Sequence, residues 1–309
     1  MVHAILLPKT CALLKGETEK RVLDILLDRL SQKKISWETF ESQVEDPALL
    51  TRLTSRYLSR TLLHLAVLEN RLNWIELYKD EPLLKTRRDQ LGLSPLDLAH
   101  LLHRKEALQI LQSPTDMHKV PEYPAIDHFE YLQAPIFENK EGLEEVLATV
   151  AKSKNEDKIP AEKIWLGIYF DKEILNSLHP PIEIRKINDR VGCGVFTLKP
   201  IPPCTFVGEY AGIIQQRAPK QLKEKKYCLR YTIWEGKRNF CIDAEHLGNF
   251  TRFINHSARP NLGVQSLYWR GIPRMVFLSL REIGAGEQLT FDYGSHYLKH
   301  HHKELTDDF

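Results

Sequence analysis

"RFINHSARPNL", residues 252–262, sets a polar pair, Asn255 and His256, directly after two apolar residues. In isolation this pattern is typical of an Asx-type turn that ends at Pro260, with His256 satisfied inside a core. The interpretation therefore depends on the sequence around the run, which carries three further motifs.

These three motifs accompany the run in a fixed order along the chain. They are "RVGCGVFTLKPIPPCTFVGEYAG" at 190–212, "YCLRYTIW…NFCIDAEHLGN" at 227–249 and "GAGEQLTFDYG" at 284–294. A lone GxG or a lone Asn–His pair would carry little information, but the ordered set is specific. In order and spacing it resembles the SET domain of protein lysine methyltransferases, over residues 181–296.

The composition limits the class of protein. A length of 309 residues favours two domains over one. The formal net charge of +2 gives no general electrostatic case for nucleic-acid or membrane binding, and no stretch approaches the ~20 apolar residues of a membrane span. Five cysteines, an odd number without a CxxC pair, favour a reducing compartment over a disulfide framework. We therefore expect a soluble, intracellular protein with no direct nucleic-acid or membrane site.

An internal repeat marks the amino-terminal third. "TLLHLA" begins at Thr61 and "SPLDLA" begins 33 residues later at Ser94, and this period resembles the ankyrin repeat. "NRLNWIELY" after the first copy has apolar residues at helical spacing, and "EKRVLDILLDRL" at 19–30 could be a degenerate capping unit. We expect residues 1–115 to form an ankyrin-like helical region that binds a protein partner.

The remaining sequence predicts a change of structural class. Proline-rich "SPTDMHKVPEYP" at 113–124 marks a boundary, and 116–180 is expected to be a linker and connecting segment that includes a loop-like run at 152–160. After it, "IWLGIYF", "CTFVGEYAGIIQ", "YCLRYTIW" and "RMVFLSL" are typical of strands. The predicted fold class is α+β, with helical repeats followed by a mainly β SET domain at 181–296. The Lys-rich run 218–226 is interpreted as a solvated helical face and not as a nuclear address.

The SET resemblance implies S-adenosyl-L-methionine as the cofactor. Methyl transfer from a sulfonium is an in-line displacement, so the site residues should be orienting groups. Glycines that flank a cysteine would let the backbone approach the methionine end of the cofactor, and an Asn–His pair would bind its adenine and methionine ends. Arg252 could hold the cofactor or brace the loop. The cofactor residues implied by the resemblance are Val191, Gly192, Cys193, Gly194, Arg252, Asn255, His256 and Tyr293.

Four aromatic residues are implied to act on the substrate. Tyr293 matches the tyrosine that holds the sulfonium methyl group through weak CH···O contacts. Tyr210 and Tyr227 resemble tyrosines that flank the target lysine, although a core position for Tyr227 is an equal alternative. Phe291 matches the position that faces the lysine amine, and a residue without a hydroxyl there implies di- or trimethyllysine as the product.

The chain departs from the family pattern after the Asn–His pair. Many SET domains have a zinc-binding cysteine where this chain has Ala258, and no cysteine follows Cys241. We therefore predict no metal site, and a tail, 297–309, that covers the pocket with Tyr297 and Phe309 around an intervening helix. "HHH" at 300–302 is interpreted as solvated and not as a metal site. The carboxylates Glu209, Glu287 and Asp292 could form a hydrolytic pair, but their positions within the motifs favour structural roles.

These patterns lead to one functional hypothesis and two alternatives. The hypothesis is a protein lysine N-methyltransferase that acts on an accessible lysine, possible substrates being histone tails. One alternative is a catalytically idle SET fold in an ankyrin-based interaction protein, and the other is a methyltransferase of non-histone proteins. Ankyrin repeats joined to a zinc-free SET domain are similar to secreted effectors of intracellular bacteria, which would place the protein in a host cell and its nucleus.

Overall fold

A computed structural model of the chain describes residues 20–112, 129–218, 225–234, 240–295 and 297. The chain divides into two compact units, 1–116 and 117–309. The boundary segment 113–124, most of the Lys-rich run 218–226, and the predicted tail helix with "HHH" and Phe309 lie outside the described residues.

The first unit is helical, as predicted. A 3-10 helix, Pro47–Arg52, separates its second and third α-helices. The helices are α1 over 20–31, α2 Trp37–Glu41, α3 Leu62–Leu68, α4 Leu72–Tyr78, α5 Pro82–Thr86, α6 Pro95–Leu101 and α7 Lys105–Leu111.

The 33-residue sequence repeat corresponds to two helix pairs of equal length. Thr61 caps α3 and Ser94 caps α6, each through a capping box with the third residue of its helix. The ring of His64 joins the pairs, because its Nδ1 accepts the N–H of Thr61 and its Nε2 lies 3.0 Å from the carbonyl oxygen of Leu93. Burial lowers the pKa of His64 to about 4, so the ring is neutral. The predicted helical region is confirmed, and its assignment to the ankyrin type stays a prediction.

The second unit places helices beside four small sheets. The strands are β1 Glu130–Tyr131, β2 Ile136–Phe137, β3 Ile182–Asn188, β4 Gly192–Thr197, β5 Phe206–Glu209, β6 Ile213–Gln216, β7 Cys228–Tyr231, β8 Phe240–Asp243, β9 Leu247–Gly248, β10 Asn255–His256, β11 Leu262–Trp269, β12 Ile272–Ser279 and β13 Thr290–Phe291. The sheet orders are β10-β13-β11-β12-β5, β2-β6-β8-β7, β1-β9 and β3-β4. The helices are α8 Lys140–Asn155, α9 Ala161–Tyr169, α10 Asp171–Leu175 and a second 3-10 helix, Phe250–Phe253.

One predicted strand is wrong, because "IWLGIYF" forms most of helix α9. Leu166 packs against a core cluster that contains Phe206, while the apolar Trp165, Ile168 and Tyr169 are exposed. The helix therefore places one face against the core cluster, and apolar residues on its other face remain in solvent. Gly167 permits this packing, since a Cβ there would lie 1.8 Å from the carbonyl oxygen of Tyr268. The prediction of a loop over residues 152–160 is also partly wrong, because α8 continues to Asn155.

The pairing of β13 brings the motif "RFINHSARPNL" next to the motif "GAGEQLTFDYG". β13 pairs in parallel with β10, with Asn255 opposite Thr290 and His256 opposite Phe291. It pairs on its other side with β11, where Leu262 is opposite Phe291. The Asn–His pair therefore lies beside "FDYG", although the two motifs are far apart in the chain. Within the described residues, no helix has the length and apolar character that crossing a bilayer requires.

Candidate active site

A cavity in the second unit collects aromatic residues from separate motifs. All four predicted catalytic residues line it. The lining residues are Tyr210, Lys226, Tyr227, Cys228, Leu229, Thr251, Arg252, Ile254, Phe291, Tyr293 and Tyr297.

Tyr293 is fixed at this cavity by both its backbone and its hydroxyl. Its Oη donates to the carbonyl oxygen of Ile254 at 2.9 Å, and its backbone N–H donates to Nδ1 of His256 at 3.2 Å. Its ring contacts Phe291 at 4.7 Å and stands edge-on to Tyr297 at 4.9 Å between centroids. Burial raises the pKa of Tyr293, so its hydroxyl stays protonated at neutral pH and keeps lone pairs for a further contact.

Tyr210 and Tyr227 form a connected pair on the opposite wall. Tyr210 is buried, and its Oη donates to the backbone carbonyl oxygen of Tyr227 at 2.9 Å. Burial raises the pKa of Tyr210, so this donor is not lost at neutral pH. Tyr227 is 37% exposed, so the alternative that it is a core tyrosine is wrong. It lies where the cavity meets solvent.

The residues predicted to hold the cofactor lie next to one another. Nδ2 of Asn255 donates to the carbonyl oxygen of Cys193 at 3.1 Å and so ties β10 to the GxG segment. Gly192 has a φ of +79°, a backbone conformation that favours glycine. Val191 lies in the turn between β3 and β4, where its N–H donates to Oδ1 of Asn188 at 2.7 Å. Residues 191–194 therefore present their backbone beside β10, which contains Asn255 and His256. We call this backbone the GxG surface.

Gly194 provides a sharp test of this surface. A Cβ at Gly194 would lie 2.7 Å from Cδ1 of Ile187, 2.8 Å from Nε2 of Gln288 and 3.1 Å from Nδ2 of Asn255. We expect Gly194→Ala to displace Asn255 and to weaken binding of the expected cofactor by about ten-fold or more, because the protein groups that would bind the cofactor lose their alignment. Calorimetric titration with S-adenosylhomocysteine measures this effect.

Gly284→Ala is the matched control for that variant. A Cβ at Gly284 would meet only Oε2 of Glu287, at 3.9 Å, which is ordinary contact. Equal affinities for the two variants would show that the GxG surface does not bind the cofactor.

Arg252 has a different environment from the other predicted cofactor residues. Its side chain is buried, and its guanidinium lies 4.1 Å from the ring centroid of Tyr227, 4.7 Å from that of Phe129 and 5.0 Å from that of Phe253. Its Nε has no hydrogen-bond partner within the part of the chain that the structure describes. Burial lowers the pKa of Arg252 from its usual high value.

Two buried asparagines organise the site, and neither was predicted from the sequence to have a role. Nδ2 of Asn261 donates to the carbonyl oxygen of Gln288 at 2.8 Å, while its Oδ1 accepts the N–H of Thr290 at 2.9 Å. Nδ2 of Asn249 donates to the carbonyl oxygen of Glu209 at 2.9 Å. Both asparagines stand within quoted motifs, but a sequence does not indicate which strand a buried amide will bond.

The three carboxylates do not form a hydrolytic pair. Glu209 is buried against Arg274, with Oε2 accepting from Nη2 at 2.8 Å. Arg281 lowers the pKa of Glu287 to about 2, and the Asp292 side chain is 62% exposed beside His256. Across the described ranges, no three His, Cys, Asp or Glu side chains come together as a possible metal site.

The second unit matches known proteins over its carboxy-terminal part. The family model described as "SET domain" matches residues 192–294. Histone-lysine N-methyltransferase EHMT1 of Homo sapiens is 36% identical over 131 residues, which are 41% of this chain and 10% of that protein. Histone-lysine N-methyltransferase SUV39H2 of Mus musculus is 35% identical over 119 residues, 36% of this chain and 25% of that protein. The chain thus spans only a small part of these relatives.

The matches also include solved structures. One of them is a crystal structure of KRYPTONITE in complex with mCHH DNA, H3(1-15) peptide and SAH, with 32% sequence identity over 38% of this chain and 24% of that chain, and a TM-score of 0.33. The similarities concern the SET region, so the ankyrin-type repeats and secretion into a host cell stay predictions. The family model and these relatives agree on the same part of the chain. Residues 192–294 of the second unit are therefore similar to a SET domain, and the relatives over this part are named histone-lysine N-methyltransferases.

Proposed function

We propose that this chain transfers methyl groups from S-adenosylmethionine to the side-chain amine of lysine in a protein substrate. The observation that carries the proposal is the cavity that Tyr210, Tyr227, Phe291 and Tyr293 line together. The SET match and the names of the relatives point in the same direction.

The residues present fit the cofactor. The backbone of Gly192 faces open space, because a Cβ there would meet nothing within 4 Å, and Asn255 and His256 offer polar groups beside the GxG segment. Such a polar patch within an apolar pocket is the usual composition of a small-ligand site. When bound, the cofactor supplies an electrophilic methyl carbon on a sulfonium.

The protein's part in the reaction is positioning and exclusion of water. The Tyr293 hydroxyl is held by the carbonyl oxygen of Ile254, so both oxygens are preorganised to accept weak CH···O contacts from a methyl group. The aromatic walls remove water from the incoming lysine, which favours its neutral, nucleophilic amine over the ammonium form. Tyr297 contacts the ring of Tyr293 and lines the cavity, so it contributes to the aromatic wall beside the Tyr293 hydroxyl.

The test is an incubation of the full chain with radiolabelled S-adenosylmethionine, a panel of histones and a cell extract. We expect label on a lysine of one protein, located by mass spectrometry. Label on a protein other than a histone would identify the non-histone alternative. Cofactor binding without label on any protein would favour the idle alternative, and no cofactor binding would refute the proposal.

Phe291 is proposed to set the number of methyl groups. It is buried, with ring centroids 4.7 Å from Tyr293 and 5.0 Å from Phe277, and it lines the cavity without offering a hydrogen bond. A methylated amine can therefore turn its lone pair back towards the cofactor, and di- or trimethyllysine should form. We expect Phe291→Tyr to shift the product towards monomethyllysine, because the added hydroxyl can hold the amine or a water.

Mass spectrometry of a substrate peptide carried to completion measures the product of both proteins. Phe277→Tyr, at the neighbouring buried ring, is the control for a hydroxyl added outside the cavity lining. A parent protein that stops at monomethyllysine would contradict the assignment of Phe291.

We also propose that the helical unit is an ankyrin-type region that recruits a protein partner or substrate. The equal bounds of the two helix pairs, 33 residues apart, and the capping boxes at Thr61 and Ser94 support this assignment. Residues 125–309 alone are expected to methylate a short peptide within about two-fold of the full chain but a folded substrate about ten-fold less efficiently. Comparison of kcat/KM for both substrates measures this, and an inactive fragment that still binds the cofactor would contradict it.

The names of the relatives support a histone as the substrate class and the nucleus as the location. Secretion into a host cell rests only on the resemblance to bacterial effectors. Imaging of the tagged protein in host cells, together with the labelled panel above, tests both.

A further inference from the structure

The described residues that line the cavity include two cationic side chains, Lys226 and Arg252, and no aspartate or glutamate. If the proposed function holds, lysine enters this space as a further cation, and the methyl donor carries a sulfonium. An ammonium group would therefore meet like charges between aromatic walls.

Arg252 is the more deeply placed of these cations. Its side chain is only 8% exposed, its guanidinium stacks at 4.1 Å on Tyr227, and its buried Nε finds no hydrogen-bond partner among the described residues. A stacked guanidinium keeps its charge while giving up water, because the ring face attracts the cation without neutralising it. A brace for the loop would be expected to hydrogen-bond through this Nε.

Few groups around Arg252 can offset its charge. Neutral or weakly polar groups face it from three elements: Tyr227 before β7, Tyr210 after β5, and Cys193 in β4. Among the described residues, Glu245, after β8, is the carboxylate that raises the pKa of Arg252 and so partly offsets its charge. Glu245 is itself engaged by Lys225 and is 40% exposed, so solvent and that lysine weaken its effect.

We propose that Arg252 promotes the reaction electrostatically, by disfavouring the ammonium form of the target lysine in the cavity. This inference rests on the proposed function. A free lysine side chain has a pKa of about 10.4 and is almost entirely charged at neutral pH. A nearby positive charge lowers that pKa, so the neutral amine needed for attack on the methyl carbon becomes more populated. The proton leaves to bulk water before methyl transfer, and the amine lone pair then forms the new C–N bond as the C–S bond breaks.

The pH dependence of kcat tests the proposal, since kcat reports groups in the enzyme–substrate complex. In Arg252→Gln the bound amine should titrate at higher pH, so the rising limb of kcat should move up by about one unit. The loss of kcat should then be about ten-fold near neutral pH and should disappear as the pH rises through the lysine pKa. Arg281→Gln, which removes an exposed cation outside the cavity lining, is the control and should leave the limb where it is in the parent.

Cofactor affinity, measured by calorimetry on the same variants, separates this role from cofactor binding. An unmoved limb in Arg252→Gln would overturn the proposal. If cofactor affinity fell at the same time, Arg252 would belong to the cofactor site, and if nothing changed, its role would be structural. Absence of methyl transfer by the parent protein would instead refute the proposed function itself.

A measurement on the parent protein does not depend on any variant folding. A substrate peptide with ¹³C at the lysine ε-carbon, bound together with S-adenosylhomocysteine, can be titrated by NMR. S-adenosylhomocysteine has no sulfonium, so a lowered lysine pKa in this complex must come from the protein. We expect the pKa of the bound amine to be lower than that of the free peptide by about one unit or more. An unchanged pKa would overturn the proposal.

Discussion

Replacement of Tyr293 by phenylalanine is expected to lower kcat for methyl transfer by about 10²-fold or more, the scale of deleting one preorganised transition-state contact. The variant removes one hydroxyl and almost no volume, so the ring contacts with Phe291 and Tyr297 remain. The hydrogen bond to the carbonyl oxygen of Ile254 is lost. Because the backbone N–H of residue 293 still bonds His256, cofactor affinity should change much less than kcat.

The measurement combines single-turnover rates with calorimetric cofactor titration. Tyr169→Phe is the matched control, because Tyr169 is 77% exposed on α9 and lines no part of the cavity. Its removal of a hydroxyl should leave both quantities unchanged. A Tyr293→Phe protein with activity within about two-fold of the parent would show that Tyr293 is misassigned.

The buried pair of Glu209 and Arg274 should give the largest effect on stability. Nε of Arg274 lies 2.5 Å from Oε1 of Glu209, and both side chains are almost fully buried. Burial raises the pKa of Glu209, and Arg274 opposes this rise. Arg274→Met would leave an uncompensated buried carboxylate, so we expect the free energy of unfolding to fall by about 3–5 kcal/mol.

Urea unfolding isolates the effect of the buried charge when four proteins are compared: the parent, Arg274→Met, the double variant Glu209→Leu with Arg274→Met, and Arg281→Met. Adding Glu209→Leu to Arg274→Met removes the orphaned charge and should restore much of the lost stability. Arg281→Met is the control at an exposed pair, where the partner Glu287 is 34% exposed and Arg281 is 52% exposed. It should cost less than about 1 kcal/mol. A loss of less than 1 kcal/mol in Arg274→Met as well would mean that the buried pair contributes little.

The pair also affects the active site through the backbone of its own strand end. Glu209 precedes Tyr210, and its carbonyl oxygen accepts from Asn249 at 2.9 Å. A shift of Glu209 would therefore move one wall of the cavity. The stability measurements should accordingly be read together with cofactor affinity in the same proteins.

The helical region was predictable because its signals are local. Thr61 and Ser94 each cap the helix that follows through bonds to its third residue, so each cap lies within one turn of the helix that it starts. The offset between the two residues can be read directly from the sequence. Helix α9 was not predicted, because a short apolar and aromatic run is compatible with both a strand and a helix. The choice was made by packing, since Leu166 faces a cluster with Phe206 and Gly167 fits against the backbone of Tyr268.

By itself, the sequence determined the order of the motifs and the residue types of the candidate site, because a resemblance to a family requires only type and spacing. Only the tertiary structure decided which groups meet. The bond from Asn255 to Cys193 spans 62 positions and the bond from Tyr293 to Ile254 spans 39. The same is true of the stacking of Arg252 on Tyr227 without a hydrogen-bond partner at its Nε. Such contacts depend on strand pairing and on burial, which arise when distant segments pack and are not encoded in any local pattern.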